Sequence, residues 1–199
     1  EFGDKKIVEE KWKELQNRLK SNQVVKIRKA GREGKLTDLY IKFANYLFPN
    51  SNIEQDGTNN YAPYKIVKET TGLRKFEKKR IDNSNTVRNY QISHIFSNRT
   101  KNPLLFEASW NIIYTPKIID PLTGHESSGK WGEDFSKLLQ NKAIDMYRDI
   151  IKEYNKIIDE LKIDQKIKKF IDEQCLNVSR DELIRFKKGV GENYKKIDI

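Results

Sequence analysis

The sequence predicts an α+β protein, mostly helical, with a small strand pair in its middle. Three observations predict it. Apolar residues recur at three- and four-residue spacing in the amino-terminal part and again after residue 133, the period of amphipathic helices. Between these stretches, residues 88–96 and 104–114 are rich in β-branched and aromatic side chains. Pro116, Pro121, Gly124, Gly129 and Gly132 then punctuate the chain before the final helices begin.

In chain order, Glu1-Phe2-Gly3 carry no initiator methionine and read as a scar or internal boundary outside the fold. Residues 4–20 place Val8, Trp12, Leu15 and Leu19 on one helical face, with acidic residues early and basic ones late, as the helix dipole favours. A second helix is expected over 36–48, through Leu36, Leu39, Tyr40, Phe43 and Leu47, ending at Pro49. Residues 51–63, rich in Asn, Asp and Gly, read as a loop; 64–80 read as a strand, a turn at Thr71-Gly72, then a basic helix or ribbon. A strand over 88–96, a polar loop over 97–103 and a second strand within 104–114 follow. From about Glu133 a long helix carries Leu139, Ala143, Met146, Ile150, Ile157 and Leu161, a stripe wide enough to pack on a sheet on one side and a partner helix on the other, within the chain first and at a dimer interface as the alternative. Residues 165–174 suggest a short helix. Ser179 and Glu182 form a capping box for the last one, with Gly189 as its stop. This divides the chain into a basic region 1–87, a middle segment 88–161 and a helical extension 162–199, packed as one unit. Trp110 and Trp131 are both expected in the core.

Composition narrows the function. The formal net charge is +10, with 39 Lys and Arg against 29 Asp and Glu. Residues 1–90 hold net +8 and residues 91–199 only +2. The excess is densest at 24–36 and 65–80, which favours a polyanionic partner, double-stranded DNA first. Arg28, Lys29, Arg32, Lys35, Arg74, Lys75, Lys78, Lys79 and Arg80 are the candidate contacts in these runs. The single cysteine, Cys175, excludes an internal disulfide and cysteine-based zinc sites. No apolar run is long enough for a membrane span and no secretory signal opens the chain, so a cytoplasmic location without a membrane partner is expected.

The chain has two histidines, His94 and His125. His94 ends the first predicted strand; Asn111 lies on the second, 17 residues on; His125 follows 14 residues later, just before the long helix. This order of strand, His, loop, Asn, strand, His and helix resembles the ββα-metal, or HNH, nuclease motif over residues 88–154. The resemblance implies a ββα-metal core and a metal-dependent endonuclease, of restriction type. It implies His94 as general base, Asn111 orienting the imidazole or the connecting loop, and His125 as ligand of a divalent ion, Mg2+ with Mn2+ as the alternative. Ser93 stands where the family often has a metal-binding Asp or His. Asp120 and Glu126 are further candidate ligands, and Asn141 a rival third one. Arg99 and Lys101 in the loop, with Lys117 and Lys130 flanking His125, would meet phosphates. A weaker match, Asp56 with Glu77-Lys78-Lys79, resembles the Asp…Glu-x-Lys metal site of many restriction enzymes. The competing readings are a non-catalytic nucleic-acid-binding protein and a helical interaction module; a homodimer would suit a palindromic DNA site.

Overall fold

The molecule is described by a computed structural model covering residues 1–29, 34–77, 84–122 and 129–199, with the backbone alone at 34, 35, 120 and 121. It is mostly helical, with three two-stranded sheets among the described residues. Helix α1, Lys5–Arg18, starts where the Asp4 carboxylate accepts the Ile7 N–H and buries Val8, Trp12 and Leu15. Strand β1, Val24–Ile27, helix α2, Gly34–Leu47, and strand β2, Asn52–Gln55, form a crossover unit in which β1 and β2 pair in parallel, Val25 opposite Ile53.

Strand β2 lies in the stretch read as loop, and helix α3, Tyr61–Thr71, replaces the strand expected after residue 64. The Asn- and Gly-rich composition hid a local cap: the buried Asp56 carboxylate accepts from the backbone of Thr58 and Ala62, two and six residues on, and so starts α3. Gly72, at φ 69°, ends α3 in the left-handed conformation, where the turn was expected.

Two short strands, β3 (Arg74–Lys75) and β4 (Thr86–Val87), pair in parallel. Strand β5, Tyr90–His94, then pairs antiparallel with β6, Ile112–Pro116. The connector between them is not an extended strand up to residue 111. It holds a 3-10 turn at Ser97–Arg99, the short helix α4 at Pro103–Phe106 and a second 3-10 turn at Ser109–Asn111. The side chain of Asn102 caps α4, which overrides the β propensity of this apolar run.

After a 3-10 turn at Lys117–Leu122, helix α5 runs from Lys130 to Leu161 with a kink at Tyr147, φ −123°. Lys162, in the left-handed region at φ 49°, separates it from α6, Ile163–Gln174. Helix α7, Arg180–Asn193, has both bonds of the expected capping box and runs past Gly189. That glycine is selected by packing: a Cβ there would lie 1.8 Å from the Tyr40 hydroxyl oxygen.

The three sequence regions share one core. A single cluster of buried apolar side chains extends from Val8 to Ile197, with rings packed around Trp110 and around Phe43. The first three residues belong to the fold rather than outside it. Glu1 exchanges backbone hydrogen bonds with Tyr114, and the Gly3 carbonyl accepts the Tyr147 hydroxyl at 2.8 Å. Trp110 is fully buried, but Trp131 is 83% exposed and lies outside the core. No helix among the described residues is long and apolar enough to cross a membrane.

Candidate functional site

The β5–β6 pair carries the candidate site. Its register sets Tyr90 opposite Pro116 and His94 opposite Ile112. Side chains alternate across the pair, so Tyr90, Ile92, His94, Ile112 and Tyr114 share one face, and Gln91, Ser93, Ile113 and Thr115 the other. The first face packs under α3, where Val67 is buried against Ile112 and Tyr114, with Tyr64 and Ile66 beside them. Outward from that contact, α3 exposes Lys65 and Lys68. Glu69, exposed beside them, pairs with Lys11, so the outer side of α3 carries charges of both signs.

His94 is half-buried at the end of β5. Its Nε2 lies 3.0 Å from the Phe106 carbonyl oxygen, and its ring stacks on the Phe106 ring at 5.3 Å and 17°. A carbonyl only accepts, so Nε2 carries a hydrogen, and in the neutral imidazole the lone pair is then on Nδ1. Asn111 adjoins the end of β5, its carbonyl accepting the Ile95 N–H at 2.9 Å, but its side chain serves the connector and not the imidazole. Fully buried, it accepts the Phe96 N–H at 2.8 Å and donates to the Leu105 carbonyl at 2.9 Å. One amide thus clamps both ends of the loop that supplies Phe106 to His94.

The other motif residues are placed differently. Ser93 is on the opposite face from His94, and its hydroxyl is 2.7 Å from that of Thr115. It is spent within the sheet and is not beside the imidazole. His125 and Glu126 lie outside the described residues, as does the side chain of Asp120. Among the described residues no group of three His, Cys, Asp or Glu side chains converges as a metal site. Asn141 is exposed on α5, and Glu77 is exposed while Asp56 caps α3, so the described geometry does not join Asp56 and Glu77 in one centre. Burial pushes the Asp56 carboxyl up, but the backbone donors of Ala62, Thr58 and Tyr61 and the Thr58 hydroxyl outweigh it and hold it below its ordinary value.

The basic candidates separate into exposed and committed groups. Lys29, Lys75 and Lys130 are exposed, Lys75 with its ammonium 5.4 Å from the centre of the Tyr64 ring. Arg28 and Arg74 are half-buried, and burial lowers the pKa of the Arg28 guanidinium. Arg99 is not a free loop arm, because its guanidinium donates to the carbonyls of Lys195 and Lys196. Lys101 sits over the Tyr40 ring at 4.5 Å. The geometry therefore commits both loop residues to the carboxy-terminal tail and α2. Arg32, Lys78, Lys79 and Arg80, and the Lys35 side chain, are outside the described residues.

One residue escaped the sequence reading. Glu107 follows Phe106 and is buried; it accepts from Arg18 at 2.6 Å and from the Lys26 backbone N–H at 2.6 Å. It ties α1 and β1 to the connector and lines a cleft of about 350 Å3 with Arg18, Lys26 and Lys65. Its signal was a lone acid inside the apolar run 103–110.

Comparison with known proteins matches residues 3–199 to a family model described as "Uncharacterised protein PM1201". The chain is 38% identical over 172 residues to the uncharacterized protein PM1201 of Pasteurella multocida (strain Pm70), covering 85% of this chain and 74% of that protein. No solved structure matches.

Proposed function

We propose that this chain, which belongs to the family of the uncharacterised protein PM1201, is a DNA endonuclease of the HNH type, with His94 as general base. The observation that carries the reading is the His94 pair of contacts. A backbone carbonyl and a stacked ring hold the imidazole in one orientation and one tautomer, with its proton-accepting nitrogen defined as Nδ1. In the proposed step, Nδ1 takes a proton from a water as the water oxygen bonds to phosphorus; the bond to the leaving sugar oxygen breaks, that oxygen takes a proton from solvent, and the imidazole returns its own to solvent afterwards. Asn111 acts as a positioning residue, since it fixes the connector from which the Phe106 carbonyl projects. The exposed lysines of α3 and the net charge of +10 supply attraction for the duplex backbone.

A divalent ion, Mg2+ or Mn2+, would relieve charge on the scissile phosphate in this class of reaction. Ser93 does not fit as its ligand, so the described side chains do not by themselves make a metal site. A second reading, a basic protein that binds nucleic acid without cutting it, rests on the net charge of +10 and its concentration in residues 1–90.

Incubation of the full chain with supercoiled plasmid in Mg2+, Mn2+ or EDTA, beside His94→Ala, decides between them. Cleavage that EDTA abolishes and His94→Ala lowers by about 100-fold or more is expected. Undiminished cleavage by His94→Ala removes the base from His94. Salt-sensitive DNA retention with no cleavage in any metal replaces the nuclease with the binding protein.

A further inference from the structure

We propose that Arg88, laid on the ring of Phe76, is a phosphate contact for duplex nucleic acid, with Lys117 beside it. The inference rests on the nucleic-acid part of the reading above and is independent of cleavage. Parallel pairing of β3 with β4 sets Arg74 opposite Thr86 and Lys75 opposite Val87. The Phe76 N–H continues this ladder to the Val87 carbonyl at 3.1 Å. Alternation then puts Lys75 and Val87 on one face of the ribbon, and Phe76 and Arg88 on the other. Val87 and Leu73 pack inward against the cluster of Val67, Ile112 and Tyr114, so the second face points away from it.

On that outer face the guanidinium carbon of exposed Arg88 lies 3.6 Å from the centre of the Phe76 ring. This is van der Waals contact with the ring face, and it uses none of the guanidinium N–H donors. Arg18, Arg99 and Arg148 differ, since each spends its donors on a carbonyl or a carboxylate. No hydrogen bond or ion pair to the described residues engages the Arg88 side chain. Half-buried Phe76 thus holds a planar fork in place with its donors open, the arrangement that a phosphate meets with two parallel hydrogen bonds. Exposed Lys117 stands next to it, because its backbone N–H donates at 2.7 Å to the carbonyl of Asn89, the residue after Arg88. Lys117 likewise has no acidic partner among the described residues, and Glu77, which follows Phe76 in sequence, pairs with neither cation.

The rings select the form of nucleic acid. Single strands are held by bases stacked on open aromatic faces. Here Arg88 covers the Phe76 ring, and the Lys75 ammonium sits over the half-buried Tyr64 ring, 5.4 Å from its centre. What the ribbon presents outward is charge, which suits the phosphates on the outside of a duplex. Arg88 stands six residues before His94. That is at most about 20 Å of extended chain, so one duplex turn of roughly 34 Å spans both.

The test is fluorescence anisotropy of a mixed-sequence duplex of roughly two helical turns, titrated with the full chain in EDTA from roughly 50 to 300 mM salt. Arg88→Gln is expected to weaken binding about 10-fold and to lower the slope of log affinity against log salt by about one. Phe76→Leu keeps the charge but releases the guanidinium, and is expected to weaken binding about 3-fold with the slope unchanged. Lys187→Gln removes an exposed cation from α7, and is expected to leave affinity within about 2-fold of wild type. Three results would overturn the proposal. Arg88→Gln no weaker than Lys187→Gln, with duplex still bound by wild type, removes the site and leaves the nucleic-acid reading standing. No duplex binding by wild type at low salt removes that reading as well. Phosphatidylserine vesicles bound by wild type and released by Arg88→Gln, with duplex binding unchanged, reassign the face to a membrane surface.

Discussion

Asn111 places both hydrogen-bonding ends of one side chain on the backbone of its own connector, in a fully buried position. Asn111→Ala leaves the Phe96 N–H and the Leu105 carbonyl without these partners, and a cost of about 2–4 kcal/mol is expected in urea unfolding. If the His94 reading holds, the same variant also loses cleavage under conditions where it remains folded. Asp56 offers a second residue-scale check. Its carboxyl is held below its ordinary value in the fold, so its contribution is present above the unfolded pKa, near 4, and is lost as pH falls through the folded one. Asp56→Asn is therefore expected to destabilise by about 1–3 kcal/mol at pH 7, with the gap to wild type narrowing as urea titrations move below about pH 4. Both residues show why the sequence was a partial guide. Asn111 was identifiable by its spacing from two histidines, but the atoms it holds belong to a turn that no local pattern reveals. Asp56 was noticed for a metal site and instead caps a helix, because its donors come from residues in a loop-like stretch.

At the scale of elements, helices with a full amphipathic period were legible and short elements were not. The capping box at Ser179 is local chemistry within four residues, so sequence and structure agree there. Gly189 was read as a stop because glycine disfavours helix, yet α7 continues to Asn193. The reason lies 149 positions away, in the Tyr40 hydroxyl that occupies the space of a Cβ. Gly189→Ala is expected to cost about 1–3 kcal/mol despite its better helix propensity. Tyr40→Phe, which removes the oxygen and leaves the ring carbon 3.1 Å from that Cβ, should recover part of the loss; a double-mutant cycle measures the coupling. The segments 52–55 and 61–71 were missed for a related reason. A four-residue parallel strand has no signature of its own and exists because β1 is beside it.

Across the whole molecule, the carboxy-terminal tail straps α5 to the connector. Asn155 donates to the Ile197 carbonyl at 2.7 Å and accepts its N–H at 2.8 Å, while Arg99 holds the Lys195 and Lys196 carbonyls. Tyr194 and Ile197 are buried in the shared core. Arg99→Ala and Asn155→Ala should therefore both lower the free energy of unfolding in urea titrations, Asn155→Ala by about 2 kcal/mol. If Arg99 were a phosphate contact instead, its removal would reduce the salt slope of DNA binding by about one and leave stability unchanged. The tail also explains why the amino- and carboxy-terminal regions cannot be separated from the middle: each contributes side chains to the same core.

The sequence by itself determined the α+β class, the long helices, the excess of positive charge and the two-histidine motif order, because these depend on composition and on spacing within an element. Only the tertiary structure decided which titratable and polar groups meet. It gave His94 a carbonyl and a ring from residue 106, turned Ser93 to the other face, committed Arg99 to the tail and left Trp131 in solvent. The physical reason is range. Periodicity and capping act over a few residues, whereas the orientation of a buried side chain is fixed by whichever distant backbone satisfies its hydrogen bonds.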